Sequence, residues 1–177
     1  TTLFRSQILN NLIVRQNLSK KEFDFLLKKY NSEFQELKYQ RLKYFISRNN
    51  IQELKRLSSY VDKENQSLLK RVFLLRKGNK NSKIKFKKDF SNNEYLMYER
   101  VSYLRRSGQY DKAQEIIRKF SVKNYNQLQD PRWLNVKQIY ALRALRGGYG
   151  HRAYQIAKTS YNYSDKPDII SDFLYLE

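Results

Sequence analysis

YERVSYLRRSGQYDKAQEII, from Tyr98 to Ile117, is echoed forty residues on by QIYALRALRGGYGHRAYQIA, from Gln138 to Ala157. Arg106, Gly108, Ala113 and Ile116 return as Arg146, Gly148, Ala153 and Ile156, while Val101 and Leu104 return as the apolar Ala141 and Ala144. Each copy reads as a helix, a glycine stop and a second helix that opens on a small residue. That is one αα-hairpin per repeat. An isolated hairpin cannot bury its apolar face, so neighbours must supply the core, and a period near forty residues is the signature of a helical solenoid. The expected fold is all-α: a right-handed superhelix of tetratricopeptide-like αα-hairpins, about ten helices in one domain over residues 1–177. Solenoids bind or scaffold, and catalytic groups tend to sit elsewhere.

Outward from the repeat, helix punctuation is readable along most of the chain. Phe45, Leu54 and Leu57 occupy the places of Leu104, Ala113 and Ile116, a fainter third copy interrupted by Asn49-Asn50. A first amphipathic helix is expected from Leu3 to Val14, with Ile8, Leu12 and Ile13 on its apolar face. Ser19-Lys20-Lys21-Glu22 has the capping-box pattern, in which the Ser and Glu side chains each satisfy an orphan backbone donor. Ser32-Glu33-Phe34-Gln35 predicts the same device. A further helix is expected from Asn65 to Lys77, with Gly78 as its left-handed stop. A lysine-rich connection follows at about residues 78–92. Asn93 to Ser107 and Asp111 to Phe120 form the hairpin around Gly108. Asp130-Pro131 predicts a helix start with Asp as N-cap and Pro at the first helical position, where its missing donor is not needed. Trp133, Val136, Tyr140 and Ala144 line that helix, Gly147-Gly148 ends it, and His151 to Tyr161 pairs back. Asp165-Lys166-Pro167 opens a last helix that breaks off at Leu176-Glu177, as though cut within an array.

The net charge is +19 and the isoelectric point about 10.0. Residues 70–88 hold nine Lys or Arg and no acid. Such a surface attracts polyanions: nucleic acid, anionic headgroups or an acidic wall polymer. A general bias toward Lys, Asn, Tyr and Ile accounts for the charge equally well. Fifteen Tyr and ten Phe within 40% hydrophobic residues supply a core and argue against disorder. Without cysteine, disulfides and thiolate metal sites are excluded. A single His makes the usual zinc sites implausible. No stretch approaches the roughly 18 apolar residues of a membrane helix, and no signal peptide is visible at Thr1.

Little else proposes chemistry. Gly147, Gly148 and Gly150 lack the spacing and preceding strand of a dinucleotide fingerprint. His151, beside Arg152 in a helix-start turn, reads as solvated or capping. The acids read mostly as exposed helix positions beside Lys or Arg, with Glu22, Glu33, Glu53 and Glu115 in first turns, where the helix dipole favours them. No spacing proposes a catalytic pair, and no catalytic residue, metal site or cofactor is expected. Trp133, Tyr140, Tyr98 and Tyr103 read as core. Lys80, Lys83, Lys85, Lys87 and Lys88 are the candidate glycan- or polyanion-binding residues; interleaved with Phe86 and Phe90, they could also hold single-stranded nucleic acid by stacking plus charge.

Four blocks in order resemble soluble lytic murein transglycosylases. QRLKYFISRNN (Gln40–Asn50) is similar to a helix of that family ending in Trp-x-Gly-Arg. Tyr98–Ile117 resembles its Trp-Leu-Arg-Arg-Ala-Gly run and the helix after it. DPRWLNVKQIYALRALRGGYGHRAYQIA (Asp130–Ala157) resembles its Trp-containing helix followed by Gly and Ala-Tyr-x-x-Ala. SDFLYLE (Ser171–Glu177) resembles the helix that runs on into Gly-Trp-x-Ala-Leu-Arg-Phe. This chain departs from the family in Asn49-Asn50, where Gly is usual, in Ser47 near a common Trp, and in its lysine excess. The resemblance implies the superhelical, non-catalytic domain of a periplasmic enzyme that cleaves peptidoglycan between N-acetylmuramic acid and N-acetylglucosamine to give 1,6-anhydro products. It implies two partners, peptidoglycan and a lysozyme-like catalytic domain of the same protein. The family's catalytic Glu lies in a Glu-Ser motif, which this sequence lacks. Two rival readings fit the same sequence: a helical-repeat scaffold for a protein or peptide, and a basic nucleic-acid binder.

Overall fold

The structure, a computed structural model, describes residues 2–78, 93–124 and 130–158. Among them every regular element is a helix: α1 Thr2–Arg15, α2 Lys20–Lys29, α3 Asn31–Ser47, α4 Ile51–Leu57, α5 Lys63–Lys77, α6 Glu94–Arg106, α7 Tyr110–Asn124, α8 Arg132–Arg146 and α9 Gly150–Lys158. The all-α expectation holds. The expected last helix from Asp165 and the lysine-rich connection after Gly78 lie outside the described residues. No helix among those described is long and apolar enough to cross a membrane.

One turn recurs three times. After α6, Gly108 takes a φ of +76°. The Gln109 N–H then donates to the Leu104 carbonyl (2.9 Å) and the Gly108 N–H to that of Arg105 (3.2 Å). After α8, Gly148 has a φ of +78°, and Tyr149 and Gly148 donate to Ala144 (2.9 Å) and Leu145 (2.9 Å). After α3, Asn49 has a φ of +57°, and Asn50 and Asn49 donate to Phe45 (3.1 Å) and Ile46 (3.2 Å). This is the Schellman pairing, which satisfies the orphan carbonyls of a helix end through one left-handed residue. Asn is among the few side-chain-bearing residues that tolerate that conformation, which explains how Asn49 stands where the later copies have Gly. The carbonyls of Asn50, Gln109 and Tyr149 then accept from Leu54, Ala113 and Ala153, so each turn also opens the next helix.

The helices group into two compact units, residues 1–70 and 71–177, with the division inside α5. In the first, α3 packs against α1, α2 and α4. Phe23, Leu42, Phe45, Ile46, Leu54 and Leu57 are buried there, and the rings of Phe23 and Tyr60 meet edge-on at 4.7 Å. In the second, α6 pairs with α7, α8 with α9, and the two hairpins meet through α7 and α9. Their shared core contains Val101, Leu104, Ala113, Ile117, Trp133, Val136, Tyr140, Ala141 and Ile156. Ala113 and Ala153 are buried, as their place at close helix contacts requires. In α7 the deeper residue is Ile117 rather than Ile116, which is only partly buried.

Several local expectations shift. Ser19 and Glu22 form the capping box reciprocally, at 3.3 Å and 2.7 Å. No such cap opens α3, because Tyr30 ends α2 and starts α3, with no side-chain cap bond. α5 begins at Lys63 rather than Asn65, with the Asp62 carboxylate accepting from the Asn65 N–H at 2.9 Å. α7 extends beyond Phe120 to Asn124, and because it starts at Tyr110, Glu115 lies past its first turn. α8 begins at Arg132, so Pro131 is the N-cap rather than the first helical residue. Asp130 still serves the start, its carboxylate accepting from the Arg132 N–H at 3.1 Å. In α1, Ile13 and Val14 are buried, whereas Ile8 and Leu12 face outward.

Candidate functional site

Six of the ten acids whose side chains are described are exposed, as expected, but three are buried. These are Glu53, Glu99 and Asp130, each inside an arginine cluster. In the first unit, Glu53 takes Arg41 on one oxygen (2.7 Å) and Arg56 on the other (2.8 Å). Arg41 has no exposed surface. It also donates to the Ile13 and Gln16 carbonyls and lies over the Phe45 ring at 4.6 Å. Arg56 donates to the Leu18 carbonyl. A buried guanidinium is costly unless its charge is met and its donors are used. Here the two Nη groups are engaged and tie the end of α1 to α3 and α4, while Nε has no partner among the described residues.

The second unit repeats the device. Glu99 accepts from Arg76 (2.6 Å) and Arg132 (2.9 Å). Arg132 forms a two-pronged pair with Asp130, Nε to Oδ1 at 2.9 Å and an Nη to Oδ2 at 2.6 Å. Burial works against the Arg132 charge, but Asp130 and Glu99 hold its guanidinium above its ordinary value. Glu94 accepts from the Asp130 N–H through its side chain and from the Trp133 indole through its carbonyl. Arg132 lies over the Tyr98 ring at 4.0 Å. Trp133 stacks on Phe120 at 5.1 Å and meets Tyr98 edge-on. These carboxylates are neutralised by adjacent arginines, so the arrangement suits helix fixation, not proton transfer. No group of side chains that could hold a metal occurs among the described residues.

Of the residues read as structural repeat markers, Gly108 and Gly148 lie in the left-handed turns, and Ala113, Ala153, Trp133 and Tyr140 lie in the core. Tyr98 and Tyr103 pack against that core from its margin. His151 is exposed, its Nε2 2.9 Å from Gln155 Nε2. Lys80, Lys83, Lys85, Lys87 and Lys88 lie outside the described residues.

A different basic surface emerges at the turns of the second unit. Between Asp130 and Asp165 the sequence contains no carboxylate side chain. That interval includes all of α8 and α9. Arg132 and Lys137 are drawn inward, leaving Arg143, Arg146 and Arg152 exposed. None of the three pairs with a carboxylate among the described residues. Arg143 lies over the exposed Tyr110 ring at 4.2 Å, joining α8 to the start of α7. Arg152 lies over Tyr149 at 4.8 Å. Beneath this edge the Tyr140 hydroxyl is buried without a hydrogen-bond partner among the described residues. Burial raises its pKa, while Arg105 and Arg143 oppose that rise, so arginines of α6 and α8 both act at this point. On α7, Glu115 is engaged by Arg118 and Lys119 at 2.9 Å and 3.1 Å, which holds its carboxyl down at about 2. The acid-free interval was legible in the sequence; the guanidinium–tyrosine pairing across α7 and α8 was not, because it joins residues more than thirty positions apart. No protein-family model, curated protein or solved structure matches the chain.

Proposed function

We propose that this chain is the non-catalytic superhelical domain of a periplasmic lytic transglycosylase, a tetratricopeptide-like array that holds peptidoglycan beside a lysozyme-like catalytic domain of the same protein. The observation that carries the reading is the recurrence of one turn at Asn49, Gly108 and Gly148, within the same blocks whose order and spacing resemble that family. Stacking of the α6–α7 hairpin on the α8–α9 hairpin is the unit from which a superhelix is built. The buried carboxylates support a scaffold rather than an enzyme, since each is committed to arginines that join helices. The excess of positive charge suits the free carboxylates of peptidoglycan stem peptides.

The test is co-sedimentation of the purified chain with insoluble peptidoglycan sacculi. Binding at low salt that weakens toward physiological salt is expected, because the screening length contracts to about 8 Å there. Failure to sediment at low salt refutes the peptidoglycan role.

A further inference from the structure

We propose that the exposed arginine–tyrosine edge formed by Arg143, Arg152, Tyr110 and Tyr149, with Arg146 beside it, is a binding site for a carboxylate-bearing polymer. As an account of where peptidoglycan is held, it rests on the reading above; as a carboxylate site, it stands on its own geometry. Three observations support it. The α8–α9 hairpin has no acid of its own, and the exposed arginines there have no carboxylate partner among the described residues. In contrast, Arg41, Arg56, Arg76, Arg118 and Arg132 each have one. Among the described residues the edge therefore gathers three guanidinium groups without a carboxylate partner in a stretch that has no acid of its own.

The second observation is preorganisation. Arg143 and Arg152 each lie over a tyrosine ring, at 4.2 Å and 4.8 Å. A ring under a guanidinium reduces the freedom of a long side chain while leaving N–H donors for an anion. The donors of a guanidinium form a planar fork that matches the two oxygens of a carboxylate. Third, the same contacts select among polyanions. Single-stranded nucleic acid is held by bases stacked on bare aromatic faces as well as by charge. On Tyr110 and Tyr149 a guanidinium occupies a ring face, so the edge favours anions that need forks over bases that need platforms.

The experiment uses the full chain, its Arg143→Gln/Arg152→Gln variant and a control, Lys20→Gln/Lys21→Gln, with the same net charge. All substituted residues are exposed, and circular dichroism checks that each variant is folded. Binding is measured to poly-L-glutamate, to an oligodeoxythymidine of matched charge, and to sacculi before and after amidation of their carboxyl groups. We expect the arginine variant to bind poly-L-glutamate and native sacculi about tenfold more weakly, the loss of a few charge-assisted contacts. The lysine variant should change less than about twofold, and amidated sacculi should lose the difference between variants. Equal weakening by both variants would show diffuse attraction and overturn the site. Tighter, arginine-dependent binding of the oligonucleotide would overturn the carboxylate assignment. Arginine-dependent poly-L-glutamate binding without sacculus binding would uphold the site and refute the peptidoglycan reading.

Discussion

Lys137 offers the sharpest test of the packing of α8. It is only 2% exposed, and burial pushes its ammonium from 10.5 down to about 8. At about 1.4 kcal/mol per pH unit, that displacement corresponds to roughly 3 kcal/mol against the charged form in the folded chain. The unfolded chain keeps the ordinary value, so between about pH 8 and 10.5 it binds more protons than the native state, and stability rises with pH in that window. Lys137→Met retains the apolar length of the side chain and removes the charge. We expect the stability of the variant relative to the natural chain to fall by about 3 kcal/mol as pH rises from about 8 to 10.5, because only the natural chain loses the cost of a buried ammonium there. Urea unfolding of both chains across that range measures the difference directly. Subtraction removes the titration of tyrosines and other lysines, which both chains share. A difference that stays flat with pH would mean that Lys137 is not a desolvated ammonium, and would refute the packing of this face of α8.

Other expectations follow from particular contacts. Ala153→Asp puts a charge at a position 3% exposed and should cost at least about 3 kcal/mol, read by urea unfolding; an unchanged midpoint would contradict the stacking of α9. Gly148→Ala should cost about 1 kcal/mol, by backbone conformation alone, because an added Cβ would meet nothing within 4 Å; thermal melting checks it. Glu53→Gln leaves the buried Arg41 without its counter-charge and should cost about 3 kcal/mol, with Lys20→Gln as a neutral reference in the same unfolding assay. The Asn65 N–H and the Tyr39 hydroxyl hold the Asp62 carboxyl down from its ordinary 3.8 to about 2. Its contribution is present above pH 3.8 and is lost as pH falls toward about 2; Asp62→Asn should flatten that part of the acid-unfolding curve.

What could be read from the sequence was whatever local chemistry determines. Gly108 and Gly148 marked helix ends because a left-handed residue is needed there, and the reciprocal bonds of Ser19 and Glu22 span only three residues. The apolar stripe through Val101, Leu104, Trp133 and Tyr140 marked the core because its period matches the helix. Ser32 misled because a capping pattern is permissive: Tyr30 already joins α2 to α3, and α3 starts before Ser32. Ile8 and Leu12 have helical spacing, but which face a helix buries depends on its neighbour, here α3. The arginine clusters were hidden for the same reason. Nothing local distinguishes Glu53 or Glu99 from an exposed helix acid; their burial depends on Arg41 and Arg76, twelve and twenty-three positions away.

This division of the charges bears on function. A chain with 36 Lys or Arg and 17 Asp or Glu could scatter its acids to offset the excess. Three of them, Glu53, Glu99 and Asp130, are buried, where they compensate arginines that link helices. The effect is strongest in α8 and α9. Arg132 leans back onto Asp130 and Glu99, at the start of α8, while Arg143, Arg146 and Arg152, toward the turn, have no acid partner among the described residues. Among the described residues, one end of the hairpin is therefore neutralised and the other is not. A uniform compositional bias predicts no such polarity. If bias alone explained the charge, substituting Arg143 and Arg152 would weaken polyanion binding no more than substituting Lys20 and Lys21, and the comparison of those two variants decides between the explanations.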